Sequence, residues 1–93
     1  MDEVLEHVVL VNGLQVGRVI DVIFEPEHES VVGFEVRCED GQHRFLPKAA
    51  ANRNGSAIEV GSPFALLDTD QLDFYRERGL TLRTRRRAVH PSG

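Results

Sequence analysis

The sequence has few of the features of an exported or membrane-anchored protein. Its single cysteine, Cys38, cannot form a disulfide within the chain, which fits a reducing cytoplasm. The acidic start MDEVLEHVVLVNG is neither a signal peptide, which begins with basic residues, nor an apolar run of about 20 residues that could span a membrane. We therefore expect a cytoplasmic protein without a membrane span. We also expect Cys38 to be an ordinary strand residue, with a reactive thiol as the alternative.

The sequence also lacks the motifs of the common catalytic and cofactor sites. It contains no P-loop, no G-x-S-x-G and no H-E-x-x-H. The glycines of NGLQVGRV do not have the G-x-G-x-x-G spacing of a dinucleotide site, and positions in turns and twisted strands explain them. These absences predict a protein that is not an enzyme and has neither a cofactor nor a small-molecule substrate.

One acidic segment, EPEHE, is the sharpest candidate for chemistry because it combines carboxylates with an imidazole. The residues concerned are Glu25, Glu27, His28 and Glu29. A divalent cation needs a loop of preset geometry, and the Asp, Asn and Gly pattern of a calcium loop is missing. A solvated hairpin tip is therefore the preferred interpretation, and no metal is expected. The remaining histidines, His7, His43 and His90, have no ligand spacing.

The charges are distributed unevenly along the chain. The formal net charge is −4, yet the end, YRERGLTLRTRRRAVHPSG, is almost wholly basic. Overall acidity argues against a general nucleic-acid binder, whereas the basic end permits a local contact with RNA or with an acidic partner. The candidate contact residues are Arg83, Arg85, Arg86 and Arg87. A solubilising tail is the alternative.

The length and the turn signals predict one small β domain. A chain of 93 residues suits a single domain. Short segments of β-forming residues alternate with turn dipeptides such as Asn12-Gly13 and Asp40-Gly41. We expect an all-β fold, a small antiparallel barrel with a short C-terminal α-helix, over residues 1–79. Residues 80–93 are expected to form a basic, flexible tail.

Two strands dominate the pattern. The segment 16–24 is apolar on both faces apart from Asp21, as in a wrapped central strand. We expect one of its faces to carry Val16, Ile20, Val22 and Phe24. The segment 31–38 alternates, with Val32, Phe34, Val36 and Cys38 expected inward and Gly33, Glu35 and Arg37 expected outward. Gly33 stands where a barrel needs a bend or a close backbone approach.

The second half of the chain gives weaker strand signals and one helix. HRFLP and AIEV are predicted strands, residues 48–51 a single helical turn, and GSPFALLD an extended segment or short strand. DTDQLDFYRERGL predicts a helix at about 69–78, with Asp68 as N-cap and Gly79 in a left-handed conformation at its end. Leu72 and Tyr75 are expected to dock this helix onto the barrel.

Over residues 8–67 the sequence resembles the PRC-barrel domain family. The family pattern is a Gly-x-basic-Val-x-Asp-aliphatic strand, an acidic turn, a Val-x-Gly strand and an aliphatic-Pro pair. The matching residues are Gly17, Val19, Asp21, Val22, Val32, Gly33, Phe34, Phe45, Leu46 and Pro47. Of these, Asp21 is expected to pair with a backbone amide or with an arginine such as Arg18 or Arg44.

The resemblance implies a small barrel that assembles complexes instead of catalysing a reaction. The family includes the cytoplasmic domain of the reaction-centre H subunit and the C-terminal domain of a ribosome-maturation factor. We therefore expect a protein–protein interaction module, with a homodimer as one form. The alternative is an RNA- or ribosome-associated maturation factor that uses the basic C-terminal tail.

Overall fold

The computed structural model describes residues 4–27 and 30–81. Within these residues the chain is mostly β-structure, with one α-helix near the C-terminal end. The elements are β1 (Val8–Val11), β2 (Leu14–Phe24), β3 (Val31–Cys38), β4 (His43–Pro47), β5 (Ala51–Asn54), β6 (Ala57–Val60), α1 (Thr69–Arg78) and β7 (Leu80–Thr81). Short 3-10 turns cover Lys48–Ala50 and Pro63–Ala65.

The strands form one curved, mixed sheet. Its order is β4-β3-β2-β1-β6-β5, and β7 pairs with the far end of β2. Every neighbouring pair is antiparallel except β1 and β6, which run parallel with Val9 opposite Ile58. The expectation of a purely antiparallel barrel is therefore corrected to a mixed half-barrel. In the described residues, hydrogen bonding does not run on from β5 to β4, so a closed barrel is not confirmed.

The tight turns follow the sequence signals. Asn12 and Gly13 both have positive φ, at 52° and 80°, as the two-residue turn between β1 and β2 requires. The predicted helical turn appears as the 3-10 turn at Lys48–Ala50. The four residues after it, Ala51–Asn54, form the edge strand β5, which the sequence did not reveal.

An irregularity in β2 changes which residues share a face. The register against β3 shifts between Val19 and Asp21, as happens where a β-bulge inserts one extra residue. Val19 therefore joins Val22 in the inner core, while Ile20 is only half-buried. The predicted grouping of Ile20 with Val22 was wrong for this reason.

The inner core lies on the concave side of the sheet. Its buried members are Val4, Val9, Val11, Val19, Val22, Phe24, Phe34, Val36, Cys38, Leu46, Ile58 and Val60. A second cluster lies on the convex side, where Ile23, Phe45 and Leu72 are buried under α1. Val32 packs on this second cluster and is only half-buried, which corrects the prediction that it points into the barrel.

The segment after β6 carries the chain from one side of the sheet to the other. Ala65 and Leu66 pack on the inner core, and Leu67 then exchanges backbone hydrogen bonds of 2.9 and 2.8 Å with Phe45 on β4. Helix α1 crosses the convex face, where Tyr75 stacks on Phe45 with ring centroids 4.2 Å apart. The predicted docking by Leu72 and Tyr75 is confirmed.

The ends of α1 follow the sequence only in part. The helix begins at Thr69 with Asp68 in the N-cap position, but the Asp68 side chain makes no capping hydrogen bond. Gly79 follows the helix with φ −102°, so the predicted left-handed conformation was wrong. Its missing side chain serves close packing instead, since a Cβ there would lie 2.7 Å from Ile23 Cγ2 and 2.8 Å from the Phe24 carbonyl oxygen.

Candidate functional site

An open groove at one end of the half-barrel is the main candidate site. Its volume is about 790 Å³, and it lies between the start of β2, the end of β3 and the segment that leads into α1. Val16 and Leu66, at the partly covered end of the inner core, and Leu67, at the edge of the second cluster, supply half-buried apolar side chains to its wall. The groove therefore offers apolar surface in a concave site that is accessible to solvent.

The rim of the groove is acidic. Glu39 follows β3, while Asp68 and Asp70 stand at the start of α1, and all three are exposed. In the described part of the chain, none of these three side chains makes an ion pair or hydrogen bond. We call these residues the acidic rim.

A fourth carboxylate at the groove, that of Asp40, is already neutralised. The Asp40 carboxylate oxygens accept hydrogen bonds from Arg44 at 3.1 Å and from the backbone amide of Gln42 at 2.9 Å. The bond from Arg44, followed by that from Gln42, lowers the pKa of Asp40 below its usual range. The same pair raises the pKa of Arg44, chiefly through its hydrogen bond to Asp40. Arg44 is thus occupied within the chain, so the acidic rim keeps its negative charge.

Two large apolar side chains are exposed near the groove. Phe64 is 89% exposed on the 3-10 turn that lines it, and Leu14, next to the lining residue Gln15, is 72% exposed. The turn is held in place because the Ser62 hydroxyl oxygen accepts a hydrogen bond from the Phe64 amide at 3.2 Å. An aromatic ring presented to water by a capped turn is the sort of anchor that a protein partner buries.

A buried charged cluster lies on the convex face, apart from the groove lining. The Glu35 side chain is 3% exposed, and its Oε2 lies 2.7 Å from His43 Nδ1. Arg76 Nε on α1 is 3.8 Å from Glu35 Oε1. Glu35 lies on the outward face of β3, as predicted, but its burial there was not predicted, because α1 covers this part of the strand. The cluster connects β3, β4 and α1, which indicates a structural role.

The residues that carry the family resemblance lie in the scaffold. Val19, Val22 and Phe34 are in the inner core, and Pro47 ends β4 opposite Gly33. At Gly33 a Cβ would lie 2.5 Å from both the Leu46 carbonyl oxygen and the Phe45 ring, so the predicted close approach is confirmed. At Gly17 a Cβ would lie 2.6 Å from the Arg37 carbonyl oxygen.

Asp21 belongs to the same scaffold. It is 3% exposed, and its Oδ1 accepts a hydrogen bond from the Val22 amide at 2.8 Å, as predicted.

Two predicted candidate sites fall wholly or partly outside the described residues. Arg83, Arg85, Arg86 and Arg87 all lie beyond residue 81, so their contact with RNA or an acidic partner stays a prediction. His28 and Glu29 of the acidic turn also lie outside, whereas Glu25 accepts a hydrogen bond from Ser30 at 3.4 Å. Within 4–27 and 30–81 no group of three or more His, Cys, Asp or Glu side chains is placed to hold a metal ion.

The groove itself was not predicted. A signal was present in the sequence, since Glu39 precedes the Asp40-Gly41 turn, Asp68 precedes the helix, and Phe64 follows Pro63. Only the path of the segment between β6 and α1 brings these separate pieces together.

No known protein-family model matches the chain, and no curated protein matches it either. In the described residues, no helix is both long enough and apolar enough to cross a membrane. The resemblance to the PRC-barrel family remains a prediction from the residues quoted above.

Proposed function

We propose that the protein is a non-enzymatic interaction module of the PRC-barrel type that binds a partner protein through the groove. The observation that carries this proposal is the combination of an apolar groove wall, the acidic rim, which is unpaired within the described part of the chain, and the exposed ring of Phe64. Enzymes use buried polar groups beside a pocket. Here the buried carboxylates of Asp21 and Glu35 belong to the scaffold, and neither of them lines the groove.

The residues of the groove indicate which amino acids a bound partner segment should contain. Three carboxylates that have no partner among the described residues favour arginine or lysine, because charge-assisted hydrogen bonds to carboxylates are the stronger ones. The apolar wall and Phe64 favour an aliphatic or aromatic side chain between those cations. The proposed ligand is therefore a basic protein segment that contains at least one large apolar residue.

Phe64 and the acidic rim are expected to contribute to binding in different ways. Full burial of a side chain such as Phe64 contributes about 1.5–3 kcal/mol, which makes this ring the expected anchor. Exposed rim charges contribute less affinity, but they accelerate association and exclude acidic competitors. Binding should therefore weaken with salt without being abolished by it.

A direct test uses fluorescent peptides and the full-length protein. The probe peptide carries arginines on both sides of a leucine, and a matched control peptide has glutamates in place of the arginines. We expect the basic peptide to bind and the acidic one not to bind, as measured by fluorescence anisotropy. Replacing Glu39 and Asp70 with lysine should weaken binding at least about tenfold. Equal binding of both peptides, or of neither, would contradict the proposal.

A further inference from the structure

We infer that the partner is a second copy of this chain, bound through a two-fold symmetric contact in which arginines of each copy face the acidic rim of the other. This inference rests on the proposed function, since it names the occupant of the groove. It starts from two arginines that lie side by side, next to His43, on the convex face of the sheet. We call Arg18 and Arg37 the basic row.

The basic row follows from strand register. Arg18 is directly opposite Arg37 in the β2–β3 pair, and Arg37 is directly opposite His43 in the β3–β4 pair. Directly opposite residues point to the same face, and neighbouring strands are about 4.8 Å apart. Two arginines are thus held side by side, an arrangement that destabilises a sheet unless an anion lies between or above them.

The chain itself does not neutralise these two arginines in the described residues. Arg37 is exposed and makes no ion pair or hydrogen bond through its side chain there, and Arg18 donates only one bond, of 3.3 Å, to the carbonyl oxygen of Glu6. Glu35 is the nearest carboxylate along β3, but its oxygens lie by His43 and Arg76. Within residues 4–27 and 30–81, two guanidinium groups are therefore available to an external carboxylate.

The basic row and the acidic rim meet at the same end of β2 and β3. Arg37 is separated from Glu39 by Cys38 alone, and Cys38 is paired with Gly17, the neighbour of Arg18. Patches of opposite charge that lie side by side are self-complementary, because a two-fold axis between them places each patch on its opposite in the partner copy. A single type of contact is then made twice.

Exposed apolar side chains next to these patches supply the non-polar part of the contact. Leu14 stands in the turn region between β1 and β2, and Phe64 lines the groove. Both side chains would lose contact with water in the dimer. This burial adds a hydrophobic contribution to the free energy of dimerisation that salt does not screen.

Charge reversal gives a test in which each outcome is decisive. One variant, Arg18→Glu with Arg37→Glu, makes the basic row acidic. The other, Glu39→Lys with Asp70→Lys, makes the acidic rim basic. Each variant alone would face like charge at both contacts, whereas a mixture would meet opposite charge at both. Lys48→Glu, on the exposed turn after β4, is the matched control.

The measurement is sedimentation equilibrium over a range of protein concentrations, with circular dichroism to show that each variant is folded. We expect wild type and Lys48→Glu to dimerise, each charge-reversed variant alone to dissociate at least about tenfold more readily, and the equimolar mixture to recover the dimer. A monomeric wild type, or a mixture that stays monomeric, would overturn the inference. If wild type is monomeric but still binds the basic peptide, the proposed function stands. If it binds neither a second copy of itself nor the basic peptide, both proposals fail.

Discussion

Glu35 Oε2 on β3 lies 2.7 Å from Nδ1 of His43 on β4, and the Glu35 carboxylate is almost completely buried on the convex face of the sheet, whereas the His43 side chain is partly exposed. Arg76 extends the contact to the helix at 3.8 Å. Side chains of three elements therefore converge where the sheet would otherwise face water. The cluster adds a polar contact to the apolar packing of Leu72 and Tyr75 that holds the helix on the sheet.

Removing the carboxylate should loosen the helix. Glu35→Ala takes away the partner of His43 and Arg76, both of which can still reach water because their side chains are 41% and 44% exposed. We expect the free energy of unfolding to fall by about 1.5–3 kcal/mol, as for a hydrogen bond to a charged group. Urea unfolding measures this change. Glu77→Ala on the exposed side of α1 is the control, and an equal loss in both variants would contradict this role of Glu35.

Gly79 and Gly61 should respond in opposite ways to the same substitution. A methyl group at Gly79 would meet Ile23 Cγ2 at 2.7 Å and the Phe24 carbonyl oxygen at 2.8 Å, whereas nothing lies within 4 Å of the corresponding position at Gly61. Gly79→Ala should therefore destabilise the fold by about 1–3 kcal/mol through overpacking. Gly61→Ala should be neutral or stabilise it by up to about 1 kcal/mol. Thermal unfolding of both variants tests this, and a neutral Gly79→Ala would count against close packing of β7 and β2.

Substitutions at Leu72 and Phe64 should distinguish effects on stability from effects on peptide binding. Leu72 is 0% exposed on the side of α1 that faces the sheet, so Leu72→Ala should cost about 2–5 kcal/mol of unfolding free energy. Phe64 is 89% exposed, so Phe64→Ala should change the free energy of unfolding by no more than about 0.5 kcal/mol. The same substitution should weaken binding of the basic peptide. Paired denaturation and anisotropy measurements test both. A Phe64→Ala variant with unchanged peptide affinity would remove the ring from the proposed interface.

Asp40 should titrate below the usual range of an aspartate. The hydrogen bond from Arg44 is the largest cause of its lowered pKa, followed by that from the Gln42 amide. Because the pKa in the folded state is depressed, the stabilisation is complete above the pKa of the unfolded state, near 3.9, and is lost as the pH falls through the lower folded value. Carbon-detected NMR titration follows this carboxyl group. In Arg44→Ala the pKa should rise towards the ordinary value, and an unchanged pKa would show that Arg44 is not its cause.

The sequence predicted the features that depend on neighbouring residues. The turn at Asn12-Gly13 follows from the tolerance of these residues for positive φ, and α1 lies where its charges and its docking residue Leu72 indicated. Burial of Glu35 was missed because it depends on a helix more than 30 positions later in the chain. The register shift near Ile20 was missed because a single β-bulge changes which side chains face the core on either side of it, whereas the prediction assumed strict alternation.

Features that depend on pairing between distant strands could not be predicted from the sequence either. The parallel pairing of β1 with β6 depends on where four intervening strands place the chain, and alternation within either strand gives no sign of its direction. The groove has the same origin, since its wall comes from β2, β3 and the segment before α1. Composition and motifs identified Arg83 to Arg87 as a candidate contact but gave no reason to bring Glu39 and Asp70 together.

The most direct test of the central claim is an NMR titration of the isotope-labelled full-length protein with the basic, leucine-containing peptide. We expect backbone resonances of Val16, Glu39, Phe64 and Asp70 to shift together and saturate, while those of β5 on the far edge of the sheet do not. Shifts confined to β5, or no saturable shifts at any residue, would contradict the assignment of the groove as a protein-binding site.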